Sequence, residues 1–264
     1  MSSESGRGSN QRLQGKVAIV TGGASGIGES VARLFADHGA RMVVIVDIQD
    51  DLGNKVAESI GVHRCTFVHC DVTDENQVKT TVESTVQKFS QLDVMFSNAG
   101  ILSSSQQTVL DLDVSKLDRL FAINVRGMAL CVKHAARAMV EGRVRGSIVC
   151  TASVVARHGG KAHTDYVMSK HAVLGLVRSA SMQLGEYGIR VNTVSPNGVA
   201  TPLTCKAFGM DAGEAEKLFE SFAHLKGVAP KTRHVADAVL YLACDESEFV
   251  TGADLAVDGG FVGA

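Results

Sequence analysis

The sequence predicts an α/β protein: one domain built on a doubly wound parallel sheet of seven strands, with helices on both faces. Three observations lead there. Short runs rich in β-branched residues alternate with longer amphipathic stretches, the pattern of successive βαβ units. A glycine-rich turn, Thr21-Gly22-Gly23-Ala24-Ser25-Gly26-Ile27-Gly28, lies between the first strand and the first helix. The chain has 264 residues, 45% of them hydrophobic, enough for one large core.

The elements follow in order. Lys16–Thr21 (KVAIVT) reads as a buried strand, and Gly28–Gly39 as a helix with Val31, Ala32, Leu34 and Phe35 on one side. Arg41–Asp47 is a second strand, Asp51–Ile60 a helix, Arg64–Asp71 a third strand and Glu75–Phe89 a helix. Leu92–Asn98 is a fourth strand, Val114–Val140 a long helical region, Gly146–Ala152 a fifth strand and Asp165–Tyr187 a long helix. Ile189–Pro196 is a sixth strand; Val235–Cys244 is a helix before a last strand near Asp254–Val257. Asn197–Ala229 is left as one long irregular stretch, and a segment of that length in a compact domain is usually functional. Met1–Gln11 is expected to be a disordered tail, and residues 12–264 one catalytic domain with a lid at about 200–227.

Composition removes several function classes. Twenty-six Lys and Arg against 28 Asp and Glu give a formal charge of −2, with no cationic excess to neutralise nucleic-acid phosphates or anionic lipid. No apolar run approaches the roughly 20 residues that span a bilayer, and the N-terminus carries no secretory signal pattern. The six cysteines are scattered singly, as in a reduced, cytoplasmic protein. The nine histidines show no metal-ligand spacing, so no metal is expected.

The first βα turn is a phosphate cradle. Residues without a Cβ let the backbone turn sharply and approach a pyrophosphate, while the helix N-terminus faces the anion. Gly22, Ser25, Gly26, Ile27 and Gly28 are the candidates, in a GxxxGxG spacing. Asp47 ends the second strand about twenty residues on, where an acid accepts hydrogen bonds from the adenosine ribose. An acid there repels a 2′-phosphate, and neither Gly22–Gly28 nor Ile48 and Gln49 offers a cation in compensation. NAD is therefore expected over NADP. Asp71 and Val72 could flank the adenine, and Asn98, Ala99 and Gly100 end strand four at the ligand-binding edge of such sheets.

Tyr166 and Lys170 stand four apart on a helix, so both project from one face. A phenol titrates near 10, and a neighbouring ammonium would favour its anion enough for general-base work near neutral pH. Ser153, after strand five, could hold the substrate oxygen while Tyr166 exchanges the proton. Val154, Val155, Leu203, Phe208, Phe219 and Phe222 are the expected apolar pocket around them, and the last four fall in the irregular stretch. A helix over Ala212–Leu225 packing these on the core is the plainer reading; a roof over an apolar pocket is the one favoured. His158 and His163, between Ser153 and Tyr166, either touch substrate or face solvent.

From Leu13 to about Gly260 the chain resembles the short-chain dehydrogenase/reductase family, whose fold is a single-domain Rossmann fold. The matching segments are TGGASGIG, Asp71-Val72, SNAG (Ser97–Gly100), Asn124, Ser153, YVMSK (Tyr166–Lys170) and SPNGVATP (Ser195–Pro202). That resemblance implies a tetrad of Asn124, Ser153, Tyr166 and Lys170, with Asn124 holding a water in a proton relay through Lys170. It places Tyr166 and Lys170 also against the cofactor, and Val199 and Thr201 at its nicotinamide carboxamide. Ser97 stands where the family often has Asn, and Asn197 where it has Gly; neither departure removes a catalytic group. A homotetramer is also implied, consistent with Val125–Met139 and Ala172–Leu184 being apolar on more than one face.

DIQDDLG, SKHAVLGL and SPNGVATPL are similar to a plant group that oxidises secondary alcohols of terpenoids and lignans. The function expected is NAD-dependent oxidation of a compact apolar secondary alcohol to its ketone, with a borneol-type monoterpenol as substrate. Dehydrogenation of isopiperitenol-, xanthoxin-, lignan- or steroid-type alcohols is the nearer alternative. A non-catalytic dinucleotide-binding regulator is the other class, and the intact Ser153, Tyr166 and Lys170 argue against it. A sugar-nucleotide epimerase would need a further substrate domain, for which this chain has no room.

Overall fold

The computed structural model describes residues 11–103 and 105–261; the tail expected at the N-terminus falls, through residue 10, outside them. Seven parallel strands form one sheet in the order β3-β2-β1-β4-β5-β6-β7. They are β1 (Val17–Thr21), β2 (Met42–Asp47), β3 (Cys65–His69), β4 (Val94–Ser97), β5 (Ser147–Thr151), β6 (Arg190–Pro196) and β7 (Asp254–Val257). Each lies within the stretch read from the sequence, trimmed by up to two residues per end. The chain order reverses at β1, so the crevice between the ends of β1 and β4 is the topological switch point where ligands of such sheets bind.

Strand alternation divides the core in two. On one face Ala18, Val20, Val43, Ile45 and Phe96 pack with Val31 and Phe35 of α1 (Gly26–Asp37), α2 (Asp50–Ile60) and the C-terminal helix over Thr232–Ala243. On the other, Val17, Ile19, Val44, Met95 and Ile148 pack against α3 (Glu75–Phe89) and the helices that follow β4 and β5. Strands buried on both faces explain the nearly continuous apolar runs of β1 and β2.

The helical region after β4 is continuous but not uniform. It runs as α4 (Val114–Phe121), a wider π-helical turn over Ala122–Gly127, and α5 (Met128–Glu141). Such turns cluster at functional sites, and this one carries Asn124. After β5 comes α6 (Thr164–Leu184).

The stretch 197–229, expected to be irregular, contains two helices, α7 (Pro202–Phe208) and α8 (Ala212–Phe222). Both begin with a capping box, Thr201 with Thr204 and Asp211 with Glu214, which satisfies orphan backbone groups at the N-termini. The last helix, α9 (Thr232–Ala243), follows.

One buried hydroxyl joins the strand ends at the switch point. Thr21 Oγ1 accepts from the backbone N–H groups of Asn98 (2.9 Å) and Ala99 (3.1 Å), tying the end of β1 to the chain leaving β4. Thr21→Val keeps the shape but leaves two partly buried donors without an acceptor, at about 1–3 kcal/mol in all. Urea unfolding should register a loss of that size, with Thr21→Ser losing less than about 1 kcal/mol; equal losses for the two would mean that packing, not the hydroxyl, matters.

Candidate active site

The glycine turn has a shape that side chains would block. A Cβ on Gly28 would fall 2.1 Å from the Gly22 carbonyl oxygen, and Gly22 itself has φ +64°, the left-handed region that glycine adopts freely. Ser25 precedes α1 without capping it through its side chain, so the first N–H groups of the helix keep their capacity for an anion. Ile27 packs against the core. The walls are close: a Cβ on Gly22 would lie 3.0 Å from Ala99 Cα, and one on Gly26 would lie 3.3 Å from Thr201. The turn, the end of β4 and the loop after β6 therefore form one cradle, of the kind a dinucleotide pyrophosphate occupies.

Asp47 is buried at the end of β2 and its carboxylate is firmly held. Oδ2 accepts from the Ala24 N–H (3.1 Å), and Oδ1 from those of Ile48 (2.8 Å) and Gln49 (3.1 Å). The acid thus serves the fold, bracing the glycine turn, at the position where a ribose would meet it. Ile48 beside it is exposed. Asp71 turns the chain after β3 by accepting from the Thr73 N–H (2.8 Å), and Val72 packs beneath Gly127.

Asn98 belongs to the framework. Its Nδ2 donates to the Thr21 carbonyl (3.1 Å) and its Oδ1 accepts from Thr151 Oγ1 (3.0 Å), locking β4 between β1 and β5. Gly100 lies against Asn124.

Asn124 is fully buried. Its amide exchanges two hydrogen bonds with the backbone of Ile101, at 2.8 and 2.9 Å, and its Nδ2 also donates to Ser169 Oγ (3.3 Å). Ser169 in turn donates to the Tyr166 carbonyl (2.8 Å), which links Asn124 to the turn of α6 carrying Tyr166 and Lys170. Ser169 lies inside YVMSK, but its role depends on Asn124, 45 residues away, which the segment itself does not reveal.

Ser153, Tyr166 and Lys170 converge at the ends of β5 and β6. Ser153 Oγ lies 3.5 Å from the Pro196 carbonyl and near enough to the Tyr166 hydroxyl to favour its anion. Lys170 Nζ donates to the Thr151 carbonyl (2.8 Å) and lies 5.4 Å from the centre of the Tyr166 ring. Burial pushes the Tyr166 phenol up to about 12, with the Ser153 hydrogen bond acting in the opposite direction, and burial brings Lys170 down to about 8. The sequence suggested an ammonium favouring the phenolate; in the chain alone, desolvation outweighs that effect and the phenol stays protonated.

Asp165, just before Tyr166, is also fully buried; its carboxylate accepts from the Ser103 hydroxyl and the Tyr166 N–H (2.8 Å). It fastens the loop after β4 to α6. Nothing in its sequence context marked it, since Ser103 is 62 residues away.

The loop after β6 is held by Thr204. Thr204 Oγ1 donates to the Val199 carbonyl (2.6 Å) and lies 3.1 Å from Thr201 Oγ1. Thr201 is thereby fixed beside Gly26, and Val199 is held to the same hydroxyl. The neighbouring Gly198 has Phe219 pressed on it, where a Cβ would fall 2.1 Å from the ring.

Among the expected pocket residues, Val154 and Phe219 are buried, Val155 is partly buried, and Leu203, Phe208 and Phe222 are each just over two-fifths exposed. A cavity of about 310 Å³ opens beside the loop after β6, lined among others by Val199, Phe219, Val228, His234 and Val257. Of the residues named for the pocket, Phe219 alone lines it. His158 and His163 are neither fully exposed nor isolated, for their rings contact Phe261 and Phe208. Among the described residues no group of three or more His, Cys, Asp or Glu could hold a metal ion, and no helix is long and apolar enough to cross a membrane.

A pyrophosphate cradle beside a Ser, a Tyr and a Lys is equipped to exchange a proton with a carbinol while hydride leaves its carbon. Known proteins share this plan. The family profile described as enoyl-(acyl carrier protein) reductase matches residues 22–262. A (+)-cis,trans-nepetalactol synthase of Nepeta racemosa is 58% identical over 97% of this chain and 96% of its own. The (−)-isopiperitenol/(−)-carveol dehydrogenase of Mentha piperita, named as mitochondrial, is 58% identical over 95% and 94%. A short-chain dehydrogenase/reductase crystal structure from Mycobacterium marinum superposes with a TM-score of 0.85, at 32% identity, over 94% of this chain and 96% of that one. The chain belongs to the short-chain dehydrogenase/reductase family, oxidoreductases that use a nicotinamide dinucleotide.

Proposed function

We propose that this protein oxidises a compact, lipophilic secondary alcohol of terpenoid type to its ketone, using NAD, with Tyr166 as the proton acceptor. The convergence of Ser153, Tyr166 and Lys170 beside the cradle carries the reading. A relative at 58% identity named for isopiperitenol and carveol supports the substrate class. Ser153 holds the carbinol oxygen, and Tyr166 takes its proton. Lys170 sits near the face of the Tyr166 ring, and Asn124, tied to the same turn of α6 through Ser169, would hold a water in a proton relay through Lys170. When bound, the dinucleotide supplies the hydride acceptor and, in its oxidised form, a positive charge that favours the phenolate.

The preference for NAD rests on Asp47. Its carboxylate is immobilised by three backbone donors, so it cannot swing away from a 2′-phosphate. Like charges about 4 Å apart at an effective dielectric near 20 repel by about 4 kcal/mol. A panel of monoterpenols with borneol, isopiperitenol and carveol, read by reduced-cofactor absorbance, tests substrate and cofactor together. The expected result is turnover with kcat/KM at least about a hundredfold higher with NAD than with NADP. Equal use of both cofactors contradicts the role of Asp47, and better turnover of sugar alcohols contradicts the apolar pocket.

Two-fold assembly into a cytoplasmic homotetramer is part of the same proposal. Phe249, Met182 and Leu110 are nearly or fully exposed on one chain, as surfaces covered by partners would be. Light scattering at micromolar concentration should give the mass of four chains; a monomer would refute the assembly.

Acid–base behaviour follows from the sign of the shifts. Oxidation consumes the phenolate and reduction consumes the phenol, and burial favours the phenol. Oxidation should therefore accelerate with rising pH from 6 to about 9, and ketone reduction should slow. Tyr166→Phe should abolish both while leaving dinucleotide affinity within about threefold, measured by fluorescence titration. Substantial turnover by Tyr166→Phe at any pH up to about 10, where a free phenol ionises, would place the base elsewhere.

A further inference from the structure

The helix that carries Tyr166 begins without a cap of its own. His163, the residue before α6, adopts φ +58°, and its side chain accepts no N–H of the first turn. That turn is fastened from elsewhere. The Thr164 N–H donates to the Gln107 carbonyl (2.9 Å). The Ser103 hydroxyl donates to one oxygen of the Asp165 carboxylate, and the other oxygen accepts from the Tyr166 N–H (2.8 Å). Donors at a helix start need partners, and here the loop after β4 and Asp165 take the place of a capping residue.

Asp165 is fully buried, and Ser103 and Gln107 are buried with it. A carboxylate out of water is costly unless donors and a favourable dipole meet it, and Asp165 has the Ser103 hydroxyl, the Tyr166 N–H and the helix N-terminus. Each contact therefore holds the others in place. The same loop also reaches Asn124, whose amide exchanges two hydrogen bonds with the Ile101 backbone. Ile101, Ser103 and Gln107 thus grip three separate residues of the proton-transfer region. One turn beyond Tyr166, Lys170 ties α6 to the end of β5 through the Thr151 carbonyl. The phenol is held between these two attachments of its helix.

We propose that Asp165, gripped by Ser103, is a positioning residue for Tyr166: its two hydrogen bonds fix the first turn of α6 so that the phenol stays beside Ser153. Proton transfer then depends on the loop after β4, which touches neither hydroxyl. The inference rests on the alcohol-oxidation reading above for the role of Tyr166. A misplacement of about 1 Å in a proton-transfer group costs up to about a hundredfold in rate, so loss of the tether falls on kcat rather than on binding.

The test compares wild type with Asp165→Ala, Asp165→Asn and Ser103→Ala. Ala removes both hydrogen bonds. Asn keeps them without the charge, since its oxygen accepts from the Tyr166 N–H and its amide donates to Ser103 Oγ. Asp165→Ala should lower kcat by about thirtyfold or more, with KM for the alcohol and NADH affinity within about threefold. Asp165→Asn should return kcat to within about fivefold of wild type. A second readout needs no turnover: ultraviolet titration of Tyr166 in the free protein. Burial holds that phenol up at about 12, and a loosened, wetter phenol in Asp165→Ala should titrate closer to about 10, while Asp165→Asn titrates as wild type. A wild-type kcat or a wild-type titration in Asp165→Ala overturns the proposal. So does an Asn variant as impaired as Ala, or a kcat loss matched by lost NADH-binding capacity. Should Asp165→Ala not fold, Ser103→Ala removes a single hydroxyl and is judged by the same two readouts. A wild type that oxidises no alcohol sinks the catalytic reading alone, and the titration still decides whether Asp165 positions the phenol.

Discussion

Parallel pairing brings the carboxyl ends of β1, β2, β4, β5 and β6 to one edge, and the side chains there hold one another in place. Thr21, Asn98 and Thr151 form a hydrogen-bonded row across β1, β4 and β5, and Lys170 closes it by donating to the Thr151 carbonyl. The glycine turn leaves this row at one end, and the Ser153–Tyr166 loop leaves it at the other. Cofactor cradle and proton-transfer groups are thus positioned by one set of strand-end contacts, which is why changes at Thr21 or Asn98 would be felt at both.

The electrostatic cost of this arrangement falls on Tyr166 and Lys170. Burial disfavours the charged form of each, moving the phenol up and the ammonium down. A protonated phenol is inert as a base even with the Lys170 ammonium beneath its ring, so the site needs an added positive charge to become reactive. An oxidised nicotinamide would supply it, which couples the proposed chemistry to cofactor binding and keeps the free chain idle.

Much of this was legible in the sequence. Period and composition located all seven strands, the glycine turn, and Asp47 at the end of β2, because each is a local signal. Of the two helices within the stretch taken as irregular, α8 matches the helix over Ala212–Leu225 that stood as the plainer reading, with Asp211 and Glu214 as its capping box, whereas α7 had no such reading, its box closing on Thr204 where the usual signature has Glu or Gln. The π-helical turn around Asn124 leaves no mark, since helical periodicity continues through it. Asp165 with Ser103 and the ring contacts of His158 and His163 are meetings of distant segments, which a single sequence does not encode locally. The shifts of Tyr166 and Lys170 depend on burial and took the opposite direction from the charge argument alone.

The central claim is that Tyr166 becomes a base when an oxidised dinucleotide binds, and composition makes this measurable. The chain has three tyrosines and no tryptophan, so the ultraviolet difference spectrum between the wild type and Tyr166→Phe isolates one phenol. In the free protein that phenol should remain protonated beyond about pH 10, the range of an exposed tyrosine. With NAD bound, its titration should move well below about 10. A titration that NAD leaves unchanged would contradict the account.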